Sequence, residues 1–204
     1  MITKITSILI ITILFFVIIT THPTQNNNPV KIDKKILSAN NVITELEKLK
    51  KFKKINIIAD NEGGEVVQGE KIYNYINYLK SLNIEVITTI DNICVSSCYY
   101  AISSSNKIIA SKNSILGGIG VLFFSNNQQQ VFSSSGKYKD GHINSFFIHN
   151  HMNMIAKNLH NNIIDDITKS RGNKLINPVK NNIFEGLVWD GNSALQLGLI
   201  DEIR

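Results

Sequence analysis

The spacing of hydrophobic positions changes period several times along the chain, and each change predicts an element. Residues 5–20 (ITSILIITILFFVIIT) are almost wholly apolar and carry no charge, whereas residues 24–29 (TQNNNP) are polar and have little to bury. From Val30 onward, short apolar runs alternate with stretches of helical spacing. Val42, Leu46 and Leu49 share one face of a helix that Asn41 is placed to cap. Residues 55–59 (INIIA) predict a buried strand, which ends at the turn Asp60-Asn61-Glu62-Gly63-Gly64. Ile72, Ile76, Leu79 and Leu82 mark a second helix, and the β-branched run 84–90 (IEVITTI) marks another strand. A turn, a short helix over 99–104, a strand over 107–110 and a strand over 119–124 follow. Met152, Ile155, Leu159, Ile163 and Ile167 fall on one face of a long helix. A last helix, with Asn192 at its cap, stops at Gly198. Strands alternating with helices predict an α/β fold with a mostly parallel sheet and flanking helices, preceded by an N-terminal hydrophobic helix.

The apolar start is the strongest compositional signal. Lys4 precedes it and no small-residue cleavage site follows it, so residues 1–22 are expected to form an uncleaved signal anchor, with 23–29 as a polar linker and 30–204 as one globular domain. The lysine on the N-terminal side puts that end inside and the domain outside the cytoplasm; cleavage of the segment would make the protein secreted. The net charge of +5 is mild. Its densest cluster, Lys48, Lys50, Lys51, Lys53 and Lys54, has no interleaved aromatics, which argues against nucleic acid as a partner. His142, His149, His151 and His160 come late, with no carboxylate or cysteine at ligand spacing, so neither metal nor cofactor is expected.

Chemistry concentrates at Ile93-Cys94-Val95-Ser96-Ser97-Cys98-Tyr99-Tyr100. This stretch follows a strand and opens a helix, so Ser96 meets unpaired backbone N–H groups and the positive end of a helix dipole. In a parallel sheet, active residues gather at the carboxyl ends of strands, which brings Gly63-Gly64 and the Ser96 turn to the same edge. The two cysteines bracket Ser96. An extracytoplasmic location permits a disulfide between them, but free, buried thiols are the expected state.

Five blocks in order resemble the signal peptide peptidase A family of serine proteases (peptidase family S49). They are Asp60-Asn61-Glu62-Gly63-Gly64, Cys94 through Ala101, Leu116-Gly117-Gly118-Ile119-Gly120-Val121, Ser135-Gly136-Lys137-Tyr138-Lys139-Asp140, and Gly186-Leu187-Val188-Trp189-Asp190-Gly191 with the following Ala194 to Asp201. The resemblance covers nearly all of 30–204 and implies a ClpP/crotonase-like fold. It implies Ser96 as nucleophile, Lys139 as general base, and the amides of Gly64 and Ser97 as oxyanion hole. Gly63, Gly117, Gly118, Ile119 and Gly120 fall where the family binds substrate. A lysine is protonated at neutral pH unless burial lowers its pKa by several units, so Lys139 must be desolvated to take the serine proton. No histidine lies between Ser96 and His142, which fits a lysine base. The resemblance implies peptide substrates, such as cleaved signal peptides, membrane attachment through the N-terminal segment, and assembly into a homo-oligomeric ring. The chain departs from the family pattern at Asn61-Glu62, where Ser-Pro is usual, and at Ser97-Cys98, where Gly-Gly is usual. A catalytically inactive scaffold at the membrane is the competing expectation, and an acyl-CoA enzyme of the same fold is a third.

Overall fold

A computed structural model of the 204-residue chain describes residues 28–124, 131–135 and 146–204. The expected anchor (1–22) and Lys139 lie outside the described residues. Among the described residues, no helix is long and apolar enough to cross a membrane.

Two parallel neighbours form the centre of the main sheet. β2 (Lys54–Asn61) alternates half-buried with buried residues along its length, and Ile55, Ile57 and Ala59 are fully enclosed. It pairs on one side with β1 (Val30–Ile32) and on the other with β3 (Glu85–Val95), both parallel. β3 is 11 residues long because it serves two neighbours in turn. Its first half, Ile87 to Ile90, pairs with β4 (Lys107–Ala110), and its last three residues, Ile93 to Val95, pair with β5 (Ile115–Gly117). β8 (Val188–Asp190) is antiparallel to β5, and β9 (Glu202–Ile203) is parallel to β4. β6 (Leu122–Phe124) and β7 (Val131–Ser134) form a separate antiparallel hairpin.

The helices are α1 (Asn40–Lys48), α2 (Val66–Ser81), α3 (Ser97–Ile102), α4 (Phe146–Arg171) and α5 (Gly191–Gln196). Ile72, Ile76 and Leu79 on α2 and Tyr99 and Ile102 on α3 are buried together with Val86 and Ile90 of the sheet. At about 25 cal/mol per Å² of apolar surface, enclosure on this scale is the main force holding helices to the sheet. The α/β fold with a mostly parallel sheet and flanking helices is therefore as the spacing predicts.

Several local expectations are corrected. Asn41 does not cap α1: the Ser38 hydroxyl accepts from the Asn40 N–H, and the Gln68 amide oxygen accepts from the Ala39 N–H. Asp190, not Asn192, caps α5, its carboxylate accepting from the Ser193 N–H at 2.9 Å. The strand expected over 119–124 is confined to Leu122–Phe124, because residues 118–121 bend past the Ser96 turn. The short helix begins two residues early, at Ser97. The cysteines are not free: Cys94 and Cys98 are joined in a disulfide.

One buried charge ties the last helix turn to the end of the sheet. Arg171 is 1% exposed and donates to the Gly198 carbonyl at 2.9 and 3.1 Å and to both Asp201 carboxylate oxygens at 3.2 and 3.3 Å. Burial pushes the Asp201 carboxyl up, but hydrogen bonds from Arg171 and Lys174 outweigh it and hold the group below the usual carboxylate range. Gly198 takes φ +77°, and a Cβ there would lie 1.7 Å from the Lys174 carbonyl oxygen, so only glycine closes this corner.

Candidate active site

The site is built where β2 and β3 end side by side. Their register slips between Ala59 and Asn61, so that Asn61 comes opposite Cys94. The Asp60 carboxylate spans the slip, accepting from the Ile93 N–H at 3.1 Å and the Asn92 side chain at 3.0 Å. The slip carries β3 far enough that the Gly63 turn and the Ser96 turn lie against each other.

Ser96 has φ +58° and ψ −130°, a combination that L residues other than glycine rarely adopt. The backbone is held there from three sides. The Ser96 N–H donates to the Gly117 carbonyl at 2.8 Å, Tyr100 N–H donates to the Ser96 carbonyl at 3.1 Å, and the disulfide links the strand before Ser96 to the helix after it. A strained serine on a sharp strand-to-helix turn is the arrangement that lifts a hydroxyl clear of its own backbone and presents it to a ligand. Ser96 borders a groove of about 400 Å³ whose walls also include Gly64, Val66, Gly118, Gly120 and Val188, with Lys35 and Glu62 among its lining residues.

The glycines are explained by proximity. Gly63 (φ +100°) would put a Cβ 2.8 Å from the Ser96 Cβ and 2.8 Å from the Val95 carbonyl oxygen. Gly64 sits on a parallel bridge to Ile36, in which Ile36 N–H donates to the Gly63 carbonyl and Glu65 N–H to the Ile36 carbonyl, each at 2.8 Å. That pattern leaves the Gly64 N–H outside the bridge. Ser97 opens α3, where an amide has no acceptor one turn back. Gly64 thus lines the groove that Ser96 borders, and Ser97 follows Ser96 directly in the chain. Of the other residues predicted to bind substrate, Gly118 and Gly120 line the groove beside Ser96, Ile119 and Gly120 line a smaller recess next to it, and Gly117 packs under the Trp189 ring instead.

The departure at Asn61 has a structural role that the sequence pattern did not reveal. Its buried side chain donates to the Ile32 carbonyl at 2.9 Å and accepts from the Gly63 N–H at 2.7 Å, so an Asx turn braces the glycine pair. Gly69 was also missed, because a glycine inside a helix reads as a mere propensity cost. A Cβ there would lie 2.9 Å from the Ser97 carbonyl oxygen and 3.0 Å from its Cβ, so this position lets α2 approach α3 closely. Gly186 and Val188 belong to the fifth block of the resemblance, but nothing in their local pattern places them on the wall of this groove.

A family model described as peptidase family S49 matches residues 79–204. Among individual proteins, a candidate signal peptide peptidase SppA of Enterococcus faecium is 24% identical over 80% of this chain and 52% of its own length. A candidate protease of Synechocystis is 28% identical over 76% of this chain and 59% of its own. A candidate protease of Methanocaldococcus jannaschii is 24% identical over 80% of this chain and 56% of its own. The chain spans little more than half the length of these relatives. Matched by the family model over more than half of its residues, with the Ser96 turn, the Gly118–Gly120 wall and the Arg171–Asp201 corner all inside the match, the chain belongs to peptidase family S49.

Proposed function

We propose that this protein is a serine endopeptidase on a ClpP/crotonase-type frame, with Ser96 as nucleophile and Lys139 as general base. The observation that carries the reading is the backbone of Ser96: a strained, glycine-flanked serine at the carboxyl end of a central parallel strand, opening onto a groove. In the proposed reaction the Ser96 hydroxyl attacks the scissile carbonyl and its proton passes to the Lys139 amine. The Gly64 and Ser97 amides stabilise the oxyanion. Lys139 then protonates the leaving amine, and water releases the acyl group by the same steps in reverse. Lys139 lies outside the described residues, but chain reach supports its role. Ser135 is tied to Val121 by a bond in each direction, at 2.9 and 3.2 Å, and Val121 adjoins the groove-lining Gly120. Four residues of chain extend at most about 14 Å, a reach that supports a return of Lys139 toward the groove.

The substrates in this reading are peptides lying close to a membrane, such as spent signal peptides. Residues 1–22 anchor the domain on the extracytoplasmic side, and copies associate into a ring. The groove is lined mostly by backbone and small side chains, which suits an extended peptide better than an acyl-CoA.

The test is labelling by a serine-reactive fluorophosphonate, read by intact mass on the full chain in detergent. Stoichiometric labelling is expected for the wild type, with none for Ser96→Ala and a reduction of at least about a hundredfold in rate for Lys139→Ala, in line with the loss of a general base. A folded wild type that takes no label would point to the scaffold reading instead.

A further inference from the structure

Beside Ser96, and distinct from the main groove, lies a recess of about 10 Å³ walled by Val66, Ile119 and Ile163, with Tyr100 and Ser97 completing it. That is room for about one water-sized group. Ser97 is 4% exposed, and its hydroxyl has no hydrogen-bond partner among the described residues. An unpaired buried hydroxyl is costly, and such a group is stabilised by whatever ligand atom reaches it. Ser97 stands where the resemblance leads one to expect glycine, so this hydroxyl belongs to this chain's own version of the site.

The recess is braced against widening. Tyr100 donates to the Asp166 carboxylate at 2.5 Å and stacks on Tyr73 with ring centres 5.3 Å apart. Tyr73 in turn bonds the Asp166 carbonyl at 2.7 Å and the Ser170 hydroxyl at 2.6 Å. On the other side, Ser97 is seated directly on Gly69 of α2. Close-packed walls with pinned polar ends do not yield to an extra methylene without distortion.

We propose that Ser97 sets the primary specificity of the enzyme: the recess takes the side chain of the residue whose carbonyl Ser96 attacks, it admits only alanine- or serine-sized groups, and the Ser97 hydroxyl pairs with that of a substrate serine. The inference rests on the peptidase reading above and names the substrate class for the same site. The side chain in question is the one attached next to the attacked carbonyl, so it is the one that falls nearest a pocket shared by Ser96 and Ser97.

The experiment measures kcat/KM of the full chain in detergent on matched fluorogenic peptides differing only at that residue: glycine, alanine, serine, leucine or phenylalanine. Alanine and serine are expected to exceed leucine and phenylalanine by at least about tenfold, the scale on which a hydrophobic pocket discriminates size. In Ser97→Ala the serine-to-alanine ratio should fall about threefold to tenfold, the loss of one buried hydrogen bond. A general structural defect would lower both rates and leave the ratio alone. Ser97→Gly should gain activity on leucine relative to alanine. Wild type that labels at Ser96 with fluorophosphonate yet prefers leucine or phenylalanine, or a Ser97→Ala ratio unchanged from wild type, overturns the inference while leaving the peptidase reading intact. Absence of both labelling and cleavage overturns the peptidase reading and the inference with it.

Discussion

Gly63 has no side chain because Ser96 occupies the space where one would be. Adding a single methyl there forces either the Gly63 turn or the Ser96 turn to move, since both the Ser96 Cβ and the Val95 carbonyl lie 2.8 Å from the new atom, and φ +100° is itself unfavourable for alanine. Gly63→Ala is therefore expected to cost about 2 kcal/mol in urea unfolding and to slow fluorophosphonate labelling by about tenfold or more. An equal fall in stability with labelling unchanged would show that the two turns are not coupled. The turns that carry Ser96 and the glycine pair were legible as small-residue stretches between a strand and a helix, but serines at helix N-termini are common and only the family resemblance singled out Ser96. Asn61 and Gly69 were not. Each acts on a residue close in space but distant in sequence, Ile32 and Ser97, and neither neighbour can be inferred from its local pattern.

At the scale of elements, the junction of β3 and α3 matters most. Its disulfide closes a loop with a sequence separation of 4, for which chain entropy gives a stabilisation of about 2 kcal/mol. Reduction of the intact protein should lower Tm by about 4–8 °C for a domain of this size. A thermal scan with and without a phosphine reductant, with thiol titration to verify the reduced state, measures this. An unchanged Tm in fully reduced protein would mean that the packing of α3 alone holds the turn. Both cysteines are enclosed in the core, and from sequence the tightness of a bridge over four positions argued for free, buried thiols. Burial and bridging turn out to coexist, because the turn returns α3 onto the strand it leaves. The longer helices and the strands β2, β3 and β4 followed from the spacing and composition of their residues. β5, β8 and β9 did not: runs of two or three residues carry no period, and their pairing is set by the tertiary fold.

For the whole molecule, the corner where Arg171 meets Gly198 and Asp201 closes the domain. Asp201 is held below the ordinary carboxylate range, so the stability it contributes is fully present above the unfolded value and is lost as pH falls through the lower, folded one. Part of the acid unfolding below about pH 4 should thus vanish in Asp201→Asn. At neutral pH the same variant should be less stable by about 3 kcal/mol, because Arg171 is left charged and unpaired in the interior. Urea titrations at pH 7 and pH 4 measure both effects, and a variant as stable as wild type at pH 7 would refute the account. Other late residues, Gly186 to Trp189, have a consequence for timing. The wall of the groove comes from Gly186 and Val188, and Trp189 covers Gly117, whose carbonyl fixes Ser96. Ser96 leaves the ribosome some 90 residues before that wall, about 5–20 s at ordinary elongation rates. Throughout that interval the Ser96 turn lacks its Gly186–Val188 wall, so the groove stays unfinished until those residues have been made and folded back.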